Sequence, residues 1–342
     1  MSRTEQAAWG AGALGLLGAA LGWMLEPAVF PHAWLAATVA WSGWPLGSIA
    51  LLLIHALTGG RWGEALAPAL RTGITTLPLL LPLMVPVVLT LPQLYPWAQP
   101  DAHLSNQFYL NVPFFAGRGV LYLVVWFGLG ALALRGRALD RIAPPGLILL
   151  ALTMTFAAID LTMSLDPKFS SSIYGLLAGT GVVLLALSLA VAIAGATVEQ
   201  AALGDLGKLL LALVVLWTYL DFMQLLIVWQ SDLVSEAPWY RVRMHGFWGV
   251  VMAVIAAGHF ALPFGILLFP QMQRDRRIVV GVASLLVVME VLRTWWTVLP
   301  AVPRGVSWID LACILGIGGI AAGLALRLQG RAILGPARGQ HV

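Results

Sequence analysis

The chain has 342 residues, of which 60% are hydrophobic and only 10% are charged. That balance excludes a water-soluble globular domain, because so few charges do not clothe a soluble surface. The formal charge of +4 points to no nucleic acid, since basic residues in so apolar a chain chiefly set membrane orientation, and one cysteine, Cys313, excludes internal disulfides and thiolate-bound clusters.

A hydrocarbon core of about 30 Å requires about 20 apolar residues per helix. Apolar runs punctuated by Pro, Gly and charge predict helices near 7–25, 35–57, 74–94, 114–134 and 146–164, and five more near 173–198, 205–231, 244–270, 278–299 and 307–328. The expectation is an all-α polytopic membrane protein of about ten helices, forming one integral membrane unit over residues 1–342. Only Arg3 precedes the first run and no small-residue cleavage site follows it, so that run reads as a retained helix.

The third predicted helix carries Pro78, Pro82, Pro86 and Pro92 and is expected to kink. The segment from Leu104 to Phe115 is too short to span and mixes amides with aromatic rings, which predicts an interfacial stretch. Arg3, Arg61, Arg71, Arg135, Arg137, Arg141, Arg274, Arg276 and Arg277 fall before the first helix or in even-numbered loops, with Arg327, Arg331 and Arg338 in the tail. Odd-numbered loops hold only Lys168, Arg241, Arg243 and Arg304, so both termini are expected in the cytoplasm. Tyr95, Trp97, Trp239 and Tyr240 would then sit at the opposite, periplasmic interface of a bacterial inner membrane.

An ionisable group in hydrocarbon costs a few kcal/mol, about 2.5–3.5 on insertion scales, so each one marks a functional hypothesis. Asp160, Asp221, His259 and Glu290 are the deep ones. Thr218, Asp221 and Gln224 recur at three-residue spacing on one helical face, as do Thr153, Asp160 and Ser164 at spacings of seven and four, with Asp166 just outside. His245 and His259 are fourteen residues apart, about 21 Å along one side of a helix.

Ordered by depth, His245, Asp160, Asp221, Glu290, His259 and His55 read as a proton ladder, because burial brings carboxyl and imidazole groups toward neutral titration. The bland reading has Glu290 and Arg293 neutralising each other, Asp205 and Lys208 as a surface helix start, and His55 and His245 as interfacial residues. His55 and His259 are about 13 Å apart in depth, which disfavours a shared haem, and no metal ligand set is read. Trp217, Tyr219 and Gln224 are loose candidates for quinone contacts.

Several stretches resemble the NrfD-like membrane subunits of bacterial alternative complex III, the quinol:cytochrome c oxidoreductase, specifically the ActF type. They are QLYPWAQP from Gln93, FYLNVPFFAGR from Phe108, TFAAIDLTMSLDPKFSSSIYG from Thr155 and DLGKLLLALVVLWTYLDFMQLLIVW from Asp205. WYRVR from Trp239, GHFALPF from Gly258 and the WWTVLP ending helix nine complete the set.

The resemblance implies two four-helix bundles, helices two to five and six to nine, in a non-catalytic subunit with no redox cofactor of its own. Quinol and haem c would belong to partners: an NrfD-like paralogue, an iron–sulfur protein and cytochromes c, with a terminal oxidase beyond. It also implies polar half-channels for protons, with Asp160, Asp166, Asp221 and His259 in matching stretches. The chain departs from the family's IDWLMSLEP pattern at Leu161, Thr162 and Asp166, and carries Glu290 and Arg293 where helix nine of the family tends to be acidic or histidine-bearing. The competing readings are a proton-coupled secondary transporter, whose usual mark is broken helices, and an inert scaffold.

Overall fold

A computed structural model of the chain describes residues 1–101, 106–136, 139–231 and 234–334, with side chains described as far as 328. Arg137, Arg338 and Leu104 lie outside the described residues, as does the side chain of Arg331. The described chain is helical without strands, and ten of its helices are long and apolar enough to cross a bilayer. They are α1 (Arg3–Leu25), α2 (Phe30–Thr58), α3 (Arg61–Leu89), α4 (Val112–Arg135) and α5 (Leu139–Leu165), then α6 (Tyr174–Ala194), α7 (Gln200–Gln230), α8 (Gly246–Leu267), α9 (Arg276–Ala301) and α10 (Trp308–Leu328). This is the all-α polytopic membrane fold that the apolar runs predict.

Helix α3 starts thirteen residues before the expected position, at Arg61, and ends at Leu89. Its first part is amphipathic: Gly63, Leu66, Ala69 and Leu70 are buried while Arg61, Glu64 and Arg71 interrupt the hydropathy signal. Arg71 therefore lies on a helix rather than in a loop. The expected kink falls at Thr75 and Thr76, beyond which a 3-10 turn at Leu77–Leu79 leads into Leu80–Leu89.

The interfacial expectation for Leu104 to Phe115 is corrected at its end. Asn111 caps α4 by accepting the Phe114 amide at 2.9 Å, so Phe114 and Phe115 belong to the spanning helix. Tyr95, Trp97, Trp239 and Tyr240 are buried within the protein. Their loops fold over the helix ends: Tyr95 donates to the Leu161 carbonyl at 3.0 Å, and Trp239 stacks on Phe169.

The shared helix expected for His245 and His259 is also corrected. Gly246, at φ 58°, separates a short helix, Ala237–Met244, from α8, and a π-helical turn over Ala256–Ala261 follows. The left-handed backbone at Gly246 is open to glycine because it has no Cβ.

Helix α2 packs on α3, α4 and α5, while α6 packs on α7 and α9, with α8 against α7 and α9. The two groups pack broadly on each other, α6 against α2, α3 and α5, α9 against α2, and α7 against α3. Beside it, α1 pairs with α10 through Gly12 and Gly15 against Gly316 and Gly319, where backbones approach too closely for any Cβ.

Candidate functional site

The first buried polar centre joins α4 to α5. Arg118 donates from Nε and Nη2 to the two carboxylate oxygens of Asp160, both at 2.8 Å, and the Tyr122 hydroxyl donates to the same carboxylate at 2.7 Å. The guanidinium also donates to the Tyr109 carbonyl and lies 3.8 Å from the centroid of the Tyr109 ring. Asp160 is 1% exposed, so its charge is neutralised by protein alone. Sequence reading missed Arg118, although an arginine standing inside an apolar run was itself a signal.

The second centre joins α7, α8 and α9. Glu290 and Arg293 do not neutralise each other as the bland reading supposed: Arg293 donates to Asp221, and Glu290 binds His259 through Oε1 and Nε2 at 2.9 Å. Residues three apart on a helix diverge by about 60°, enough to meet different neighbours. Trp217 lies against His259, ring centroids 3.8 Å apart and planes tilted by 33°, and the guanidinium of Arg293 sits over Trp296.

His259 is fully buried within the π-helical turn, and its Nδ1 has no hydrogen-bond partner. Whichever tautomer the ring adopts, one nitrogen stays unsatisfied, which is costly in hydrocarbon. Such a group calls for water or for a transient proton.

A cavity of about 140 Å³ adjoins this centre, lined among others by Ser42, Thr162, Tyr174, Trp217, Glu290 and Arg293. It has room for several waters, each needing about 10–15 Å³. A second cavity of about 200 Å³ is lined by Thr38, Tyr122 and Asp160. The two share Val39, Ser42, Trp126 and Leu161, so they are neighbours across a thin partition. Asp160 thus lines the second cavity, while Glu290 and Arg293, the partners of His259 and Asp221, line the first.

The remaining candidates lie elsewhere. His55 bonds the Gly60 carbonyl at 3.0 Å on the face where Arg61 and Lys208 meet Asp205. His245 is exposed, with Nδ1 2.8 Å from the Arg241 carbonyl, and Asp166 accepts the Lys168 amide in a turn. The single ladder is therefore two buried centres plus surface groups. The three quinone candidates do not converge either: Trp217 lines the first cavity, Tyr219 is 58% exposed, and Gln224 bonds Ser171 and Tyr240 outside both cavities.

Near the odd-numbered loops, Arg243 donates to the Trp239 and Thr297 carbonyls, and burial lowers its pKa to about 9. It thereby satisfies a carbonyl in the last turn of α9. A further ion pair, Arg304 with the fully buried Asp310 at 2.7 and 2.8 Å, ties the loop before α10.

These features define a polytopic membrane protein with two buried polar centres on adjoining cavities. No family model matches the chain, and none of the curated proteins compared with it matches.

Proposed function

We propose that this chain is a non-catalytic membrane subunit of a quinol:cytochrome c oxidoreductase of the alternative complex III type, lining a proton route in a bacterial inner membrane. The stretches resembling NrfD-like subunits and the packing of α2–α5 and α6–α9 support the assembly. The observation that carries the proton route is the His259–Glu290 pair: Glu290 lines a cavity large enough for water, and the buried imidazole it binds has one unpartnered nitrogen. A carboxyl and an imidazole sharing one hydrogen bond exchange a proton without leaving a net charge stranded in the bilayer.

Quinol, haem c and iron–sulfur clusters reside in the partner subunits on this reading. Purification from the native membrane tests it: haem-bearing cytochromes should co-isolate with the chain, and Glu290→Gln should lower the protons moved per electron while the complex still assembles. A chain that purifies alone, or an E290Q complex with unchanged stoichiometry, overturns the corresponding half.

The second reading, a proton-coupled secondary transporter, draws on the break in α3 and the π-helical turn in α8. Solute uptake by vesicles containing the purified chain alone distinguishes it.

A further inference from the structure

Glu236 opens the short helix Ala237–Met244, outside the spanning helices, and is only 7% exposed. Among the described residues its carboxylate is held by hydroxyls. Ser170 donates to Oε1 at 3.0 Å, and Ser235 donates to Oε2. Asp160, Asp221 and Asp310 each hold a guanidinium, whereas Glu236 has no cation within ion-pair distance among the described residues. Nor does it cap its helix, since its side chain accepts no backbone amide there. A carboxylate held this way gains a proton without breaking an ion pair, and the serine hydroxyls turn to accept from it.

Its neighbours lead back to the second centre. Ser171, adjacent to Ser170, donates to Gln224 Oε1 at 2.7 Å, and Gln224 donates to the Tyr240 hydroxyl at 3.0 Å. Tyr240 lies within electrostatic reach of Asp221 and Arg293, and Arg293 lines the cavity that holds Glu290. Ser170 is exposed, so the far end of this line meets solvent.

We infer that Glu236 is the group through which protons on the His259–Glu290 pair exchange with solvent on the face carrying the odd-numbered loops. The inference rests on the proton route proposed above and names its mouth. One proton leaves Glu290 for cavity water and reaches Tyr240 and then Ser171 through bridging waters, which span the gap from the cavity to Tyr240 and the gap past Gln224, each carrier accepting one proton and releasing one. Glu236 takes it, becomes neutral, and releases it to water beyond Ser170. Gln224 holds the two hydroxyls in line and carries no proton. A bridging water completes the step between Ser171 and Ser170.

Infrared spectroscopy of the purified full chain tests this, at a pH low enough to protonate the Glu290 carboxyl. The Glu290 band is the one lost in Glu290→Gln, and its shift in heavy water times its exchange. Glu236→Gln keeps the hydroxyl contacts and should slow that exchange by about tenfold, equivalent to about 1.36 kcal/mol on the barrier. Ser171→Ala, which leaves Glu236 in place, should slow it as well. Exchange at the wild-type rate in both variants overturns the role of Glu236 and leaves the proton route standing. A wild-type Glu290 band that never exchanges overturns both.

Discussion

The Arg118–Asp160 pair permits a prediction from geometry alone. Asp160→Asn keeps the size of the side chain and removes its charge, leaving a guanidinium whose side chain is 9% exposed facing an amide. Three donors converge on this carboxylate at 2.7–2.8 Å, so the loss is that of one partner in a fully enclosed pair, about 3–5 kcal/mol. That corresponds to about two to four orders of magnitude in the unfolding equilibrium. Denaturant titration of the purified protein in lipid bicelles measures it. Arg118→Gln should cost a similar amount, and the double variant should fall short of the sum by about 1–3 kcal/mol, because the second change removes a charge already stranded. Asp160→Asn within about 0.5 kcal/mol of wild type, or additive single losses, would refute the idea that this pair holds α4 to α5.

Glu290→Gln should behave oppositely: its amide still bonds His259, so stability changes by about 1 kcal/mol or less, whereas proton-coupled turnover falls by about a hundredfold or more. Turnover assays beside the same denaturant titration separate the two effects, and equal losses in Asp160→Asn and Glu290→Gln would contradict the distinction. Gly15→Leu should drive α1 from α10, because any side chain there meets the Gly316 backbone, at a cost of about 1–3 kcal/mol; wild-type stability would show that the helices do not pack at these glycines. In alkali, burial holds the Tyr109 hydroxyl neutral up to about pH 12 against an ordinary value of 10.0, and it also raises Tyr95. Stability should therefore be complete below pH 10 and decline between pH 10 and 12, where only the unfolded chain releases these protons; tyrosinate absorbance followed with unfolding checks the sign, and a stability that rises through that window contradicts it.

The helix count was legible because the bilayer imposes a length of about 20 residues on every apolar run. The start of α3 was not, because Arg61, Glu64 and Arg71 on an amphipathic turn look like a loop to a hydropathy reading. The deep ionisable residues were legible from their cost, but their partners were not. Arg118 is 42 positions from Asp160, and Glu290 is 31 from His259, so only the packing of different helices brings them together. The apparent pairing of Glu290 with Arg293 came from their spacing within one helix, which says nothing about which neighbours lie closer. The alignment of His245 with His259 failed at Gly246, where one left-handed residue ends the helical register.

Family likeness directs attention to Asp160, Asp166, Asp221 and His259, yet their surroundings divide them. A group that carries protons must hold both protonation states at similar free energy, and an adjacent guanidinium works against this by stabilising the carboxylate. Asp160 accepts from two guanidinium nitrogens and a phenol, and Asp221 accepts from Arg293, so each is committed to a cationic partner. Glu290 shares its bond with an imidazole, whose ordinary titration range lies near neutrality, and that imidazole has a second nitrogen waiting for a partner. On the proposed route the third acid, Glu290, has an imidazole rather than a guanidinium as its partner. On this view Asp160 and Asp221 are the frame, and Glu290 with His259 is the moving part.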